Sequence, residues 1–110
     1  MPPLAIRLSR WQMDVQFVDG KLAKLEAQGS YTAGFDQDAV RAFRKRMQQI
    51  RAAVDERDFY AMRSLRFEKL SGARRHQHSM RLNNQYRLVV EVAEESRTKT
   101  VRIIGIEDYH

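Results

Sequence analysis

A chain of 110 residues suffices for one hydrophobic core and not for two independently stable ones, so a single compact unit is expected. Twenty Lys and Arg against fourteen Asp and Glu give a formal charge of +6, which suits a polyanionic partner or simply a soluble basic surface. With no cysteine, disulfides, thiolate chemistry and cysteine-ligated zinc are excluded.

The basic residues lean to one type. Lys21, Lys24, Lys45, Lys69 and Lys99 are lysines and the other fifteen are arginines, whose planar fork matches phosphate better than an ammonium does. No apolar run approaches the roughly 20 residues of a membrane span. Residues 1–12 contain Arg7, Arg10 and Trp11 but no apolar stretch long enough for a signal peptide. A cytoplasmic protein is the expectation.

Residues 1–12 open Met-Pro-Pro, lack a clear period and read as an N-terminal extension; the domain is expected over 13–110. Val15 to Val18 alternates as a half-buried strand does. Asp19 can cap a short helix carrying Leu22 and Leu25, stopped near Gly29-Ser30. Asp36 precedes the strongest periodic segment, Val40, Phe43, Met47, Ile50 and Val54, one apolar helical stripe. Arg41, Arg44, Lys45, Arg46 and Arg51 are assigned to the opposite face, either solvated or a docking surface for RNA or an acidic partner. Asp58 to Met62 adds a turn of helix, and Ser71-Gly72 signals a turn.

Beyond it the pattern becomes extended. His76, His78, Met80 and Leu82 fall on one side of a strand and Gln77, Ser79 and Arg81 on the other. Asn83-Asn84 makes a hairpin turn through the tolerance of Asn for positive φ, and Tyr86 to Val92 returns. After a polar turn, Thr100 to Glu107 forms a third strand. Helices followed by an antiparallel meander, with the early strand free to join one edge, predict an α+β domain.

The sequence closes Glu107-Asp108-Tyr109-His110, placing a carboxylate, a phenol and an imidazole side by side. Two readings stand: a frayed polar tail, or a segment fixed by the apolar Val101–Ile106 strand before it. RNA cleavage by attack of the 2′-hydroxyl needs no metal or cofactor. It needs a base, an acid for the leaving 5′-oxygen, and cations around the phosphate. His110 titrates near neutrality and could donate or shuttle a proton, its imidazolium favoured by a terminal carboxylate beside it. Arg81 and Arg87 flank the hairpin turn and can meet across it to clamp a phosphate; equally, either could pair with Glu91 or Glu107. His76 and His78 alone are a weak metal signal. No phosphate-cradling glycine loop or nucleophile elbow occurs.

The run Leu70-Ser-Gly-Ala-Arg74-Arg-His-Gln-His78-Ser-Met-Arg81-Leu-Asn-Asn-Gln-Tyr-Arg87-Leu88, followed by Glu107-Asp-Tyr-His110, resembles the HigB branch of the RelE/ParE toxin superfamily. The resemblance covers the chain from about Ala42 onward, more loosely from Met13, and not residues 1–12. It implies a RelE-like fold with RNA on the concave face of the sheet. It also implies a toxin of a type II toxin–antitoxin pair that cleaves messenger RNA in the ribosomal A site. The implied partners are a HigA-like helix-turn-helix antitoxin, with operator DNA reached only through it, and the ribosome with its messenger.

The functional positions it carries over are Asp108, Tyr109, for stacking on a nucleotide, and His110. Arg81 and Arg87, by motif and charge, and Arg74 and His78 join them as candidate phosphate or RNA contacts. One departure stands out: some members place a catalytic histidine two residues before the Leu of the Leu-x-Gly turn, where this chain has Glu68. Either Glu68 or Asp108 is then the general base. Two alternatives share the fold, a ParE-like toxin that binds DNA gyrase without cutting RNA, and an inactive regulator that only binds its antitoxin.

Overall fold

A computed structural model describes residues 12–95 and 98–109. Within these, strand β1 (Asp14–Phe17) leads into helices α1 (Gly20–Ala27), α2 (Gln37–Ala52) and α3 (Glu56–Ala61). Strands β2 (Glu68–Lys69), β3 (His78–Arg81), β4 (Tyr86–Glu95) and β5 (Thr98–Asp108) follow. The sheet order is β1-β5-β4-β3-β2, antiparallel except for the parallel β1–β5 pair. The expected α+β class is therefore the observed one, with the early strand on the far edge.

The helices begin where their caps say. The Asp19 carboxylate accepts from Lys21 N at 2.9 Å, and that of Asp36 from Ala39 N at 2.8 Å, each satisfying an amide the helix leaves open. From α2, Val40, Phe43, Met47 and Ile50 are buried against Leu22 and Leu25 of α1 and against Met80, Leu88, Val90, Val101 and Ile103 of the sheet. Val54 leaves the stripe. The helix has ended at Ala52, and the side chain is 55% exposed.

The charged face of α2 is also not what its composition suggests. Arg44 is half-buried and donates to the carbonyls of Leu25, Gln28, Gly29 and Tyr31 at 2.8–3.3 Å, closing the open C-terminal end of α1. Arg46 lies three residues after Phe43 and four before Ile50, on the stripe itself. It is only 8% exposed.

The hairpin expected at Asn83-Asn84 forms, with Leu82 N bonding Tyr86 O at 3.0 Å and Arg81 opposite Arg87. Its cause differs. Neither Asn has positive φ; the Asn83 side chain accepts from Gln85 N and Tyr86 N at 2.9 and 2.8 Å and so folds the turn itself. The strand expected to start at His76 starts at His78, because a 3-10 turn (Gly72–Arg74) occupies the approach, with Gly72 at φ +65°. His76 and His78 consequently do not share a strand face.

Candidate RNA-contacting face

One face of the sheet packs on the helices and the other is polar and carries the candidate site. Pairing places Glu68, Ser79, Val89 and Gly105 in one row across this second face, where Ser79 and Val89 are themselves buried, with Arg81, Arg87 and Glu107 in the row beside it. A third row runs Gln16, Arg102, Glu91. The register shift between Val89 and Val90 makes Ile104 an extra residue, so that Ile103 and Ile106 both keep to the packed face while Glu107 turns outward.

Glu107 organises the cluster. It accepts from Arg74 through both oxygens, at 2.6 and 3.2 Å, and from Arg87 at 3.2 Å. Two guanidinium groups on one carboxylate hold Glu107 below the ordinary carboxylate range, the Arg74 bonds contributing most, against the opposing effect of partial burial. Gln77 extends the network from Arg74 (3.1 Å) to Glu91 (3.2 Å), which also faces His76 at 3.5 Å. Arg87 is the least exposed of the two arginines, and its Nε is buried with no hydrogen-bond partner among the described residues. A guanidinium in this state holds an unsatisfied donor beside an open, positively biased face.

The pair with Glu107 gives a pH expectation. A carboxylate with a lowered folded pKa contributes stability above its unfolded pKa, about 4.3, and loses it as pH falls through the folded value below that. A Glu107→Gln variant is therefore expected to be less stable than wild type in urea at neutral pH and equal to it once both are well below the folded pKa. A difference that does not shrink on acidification would contradict the assignment.

The C-terminal segment is held, not frayed, as far as it is described. Asp108 stays in register with Tyr86, and Tyr109 N donates to Gln85 O at 2.8 Å. The Tyr109 ring lies 5.8 Å from the Arg87 guanidinium and is 43% exposed, a half-open aromatic surface beside the cation cluster. Strand alternation puts Asp108 on the other face from Glu107, next to Gln85, whose Nε2 donates to it at 3.2 Å. His110 lies outside the described residues.

The other expected residues divide as follows. Glu68 is exposed on the edge strand, opposite Ser79 and on the open face. Arg81 faces Arg87 across the hairpin, but its guanidinium bonds Asn84 at the hairpin tip. His78 sits on the packed face, stacked on Phe67 with 4.4 Å between centroids and within 3.3 Å of the Tyr60 hydroxyl. Burial and the nearby Lys69 lower its pKa, favouring a neutral ring. It is thus separated by the sheet from Arg74 and Arg87. The sequence offers Glu107 only as a possible partner of one arginine; the structure shows it bridging two. Among the described residues no three His, Asp or Glu gather into a metal-binding group.

No protein-family model and no curated protein matches the sequence. Solved structures do match in shape. A YoeB/ParE toxin from Agrobacterium tumefaciens superimposes with TM-score 0.55 and 14% identity over 89% of this chain and 100% of that one. The YoeB-YefM complex from Staphylococcus aureus gives TM-score 0.54 and 17% identity over 90% of this chain and 98% of that one. YafQ from Escherichia coli gives 0.50 and 8% over 89% and 94%. The chain has a RelE/YoeB-like toxin fold. No helix among the described residues is long and apolar enough to cross a membrane.

Proposed function

We propose that residues 13–110 form the toxin of a type II toxin–antitoxin pair, a HigB-type endoribonuclease that cuts messenger RNA in the ribosomal A site. The observation that carries this reading is the Arg74–Glu107–Arg87 cluster with Tyr109 over Arg87: fixed cations, one donor unsatisfied, beside an exposed aromatic ring. That combination suits a phosphodiester and its base, the ring stacking and the guanidinium groups neutralising charge as the 2′-hydroxyl attacks phosphorus.

In this mechanism the 2′-oxygen forms a bond to phosphorus as the bond to the 5′-oxygen breaks. A base takes the 2′-hydroxyl proton and an acid protonates the leaving oxygen, giving a 2′,3′-cyclic phosphate and a 5′-hydroxyl. We assign the acid to His110 and the base to Asp108 or Glu68. Glu68 has the advantage of standing on the open face, Asp108 that of adjoining Tyr109. Arg87 and Arg74 hold the phosphate, with Arg81 at the hairpin tip as a further backbone contact. His78, across the sheet, takes no part.

With few strong acid–base groups, such an enzyme depends on the ribosome to hold the messenger in the attack geometry. The silencing partner is a HigA-like antitoxin, which alone would contact operator DNA; a YoeB fold solved in complex with YefM supports a protein partner. The test is addition of the purified protein to a translating system. Messenger is expected to be cut while ribosomes engage it and spared as free RNA. Intact messenger with inhibited gyrase supercoiling would instead place the chain with the ParE-like reading.

A further inference from the structure

We propose that the groove between α2 and the end of β3 is a second phosphate site, which grips the RNA backbone where the strand leaves the open face. This rests on the RNA reading above. The groove has a volume of about 370 Å³ and is lined by Arg41, Lys45, Arg46, Gln49, Ser64 and Arg81, with Asp38 at one side. Four cations thus face one carboxylate, and that carboxylate is engaged already, with Arg41 at 3.8 Å and with the Asn83 amide at 3.3 Å.

Arg46 gives the strongest sign that the groove suits an anion. It is 8% exposed, its guanidinium donates only to neutral acceptors, Arg81 O and Gln49 Oε1, both at 2.5 Å, and its Nε is buried without a partner. Among the described residues no carboxylate forms an ion pair with it. A buried cation without a counter-charge is costly, and an anion docked beside it would offset that cost. Burial and the neighbouring Arg81 both lower its pKa, as an uncompensated cation requires.

The geometry favours a nucleic-acid backbone over an acidic peptide. The groove continues into a hollow of about 450 Å³ around the hairpin tip, sharing Asp38, Arg81 and Asn83 with it and reaching Gln85. Gln85 in turn holds Tyr109 N and the Asp108 side chain. One path therefore runs from Tyr109 around the turn into the groove. Along it stand Arg41, Arg46 and Arg81, which match phosphate oxygens as forks, and the neutral donors Asn83, Gln49 and Ser64; of the two carboxylates on the path, Asp36 is engaged as the cap of α2 and Asp38 with Arg41 and Asn83.

The exposed Arg41 and Lys45 carry the test, since removing Arg46 would also remove bonds that tie β3 to α2. Binding of a 2′-O-methyl RNA oligonucleotide, which cannot be cleaved, would be measured against salt for wild type and for the Arg41→Gln/Lys45→Gln double variant. If each residue contacts one phosphate, the salt slope should fall by about 1.4 and affinity by roughly fifteenfold at 0.15 M salt. The Lys21→Gln/Lys24→Gln double variant, an equal charge change on α1, should leave both unchanged. Unaltered RNA affinity in the double variant, with Arg87→Gln still weakening it, would overturn the groove and leave the open-face reading standing. Wild type that binds no RNA would overturn the groove, while the nuclease reading stands or falls on cleavage in the translating system. Weakened polyglutamate binding with unchanged RNA binding would also overturn the proposal and assign the groove to an acidic protein.

Discussion

Replacing Arg87 by Gln is expected to lower messenger cleavage by about a hundredfold or more, the loss typical when one preorganised donor to a developing charge is removed. The position explains the size. Arg87 lies on β4, flanked on both sides by paired strands, so it is held by the sheet's rigid centre rather than by a loop. Its guanidinium is fixed by Glu107 on one side and lies near the Tyr109 ring on another. Arg87→Lys keeps the charge but loses the fork and should recover only part of the rate. Arg57→Gln, an exposed arginine bonded to Asp55 on α3, should cut like wild type. Arg87→Gln with full activity and an unchanged melting curve would remove the cluster from the mechanism.

The largest stability effect is expected at Phe43. The ring is fully buried in the centre of the α2 stripe, so truncation to Ala removes aromatic contacts and leaves a cavity. The cost is about 3–5 kcal/mol, a large part of the roughly 5–15 kcal/mol that holds a domain together. Thermal denaturation should show a drop of more than about 10 °C. Val54→Ala, in the same sequence period but 55% exposed beyond the helix end, should change stability by less than about 0.5 kcal/mol. Equal losses at the two sites would mean that the helix continues where the structure ends it.

Legibility in the sequence followed the size of the physical signal. The α2 stripe and the long strands β4 and β5 could be read because many residues repeat one period. β2 could not: it is two exposed residues, Glu68 and Lys69, paired only through the backbone with β3. Charge alone sends Arg44 and Arg46 to the solvent face, and the structure buries both at least in part. The spacing from Phe43 and to Ile50 puts Arg46 on the buried face, so here the period outweighs residue type. Arg44 required knowing that α1 ends against α2, which is tertiary information. The proximity of Arg81 and Arg87 followed from the hairpin alone, whereas the joining of Arg74 to Arg87 through Glu107 depends on a 3-10 turn and a bulge. Val101-Arg-Ile-Ile-Gly held the bulge's trace: the adjacent Ile103 and Ile104 break strict alternation.

Primer extension shows whether this arginine-lined sheet face cuts RNA held by the ribosome. A messenger would be mapped after incubation with the untagged protein, with and without translating ribosomes. The predicted result is a set of cuts inside A-site codons, bearing 5′-hydroxyl ends and absent without ribosomes. An intact messenger in the presence of translating ribosomes would contradict it.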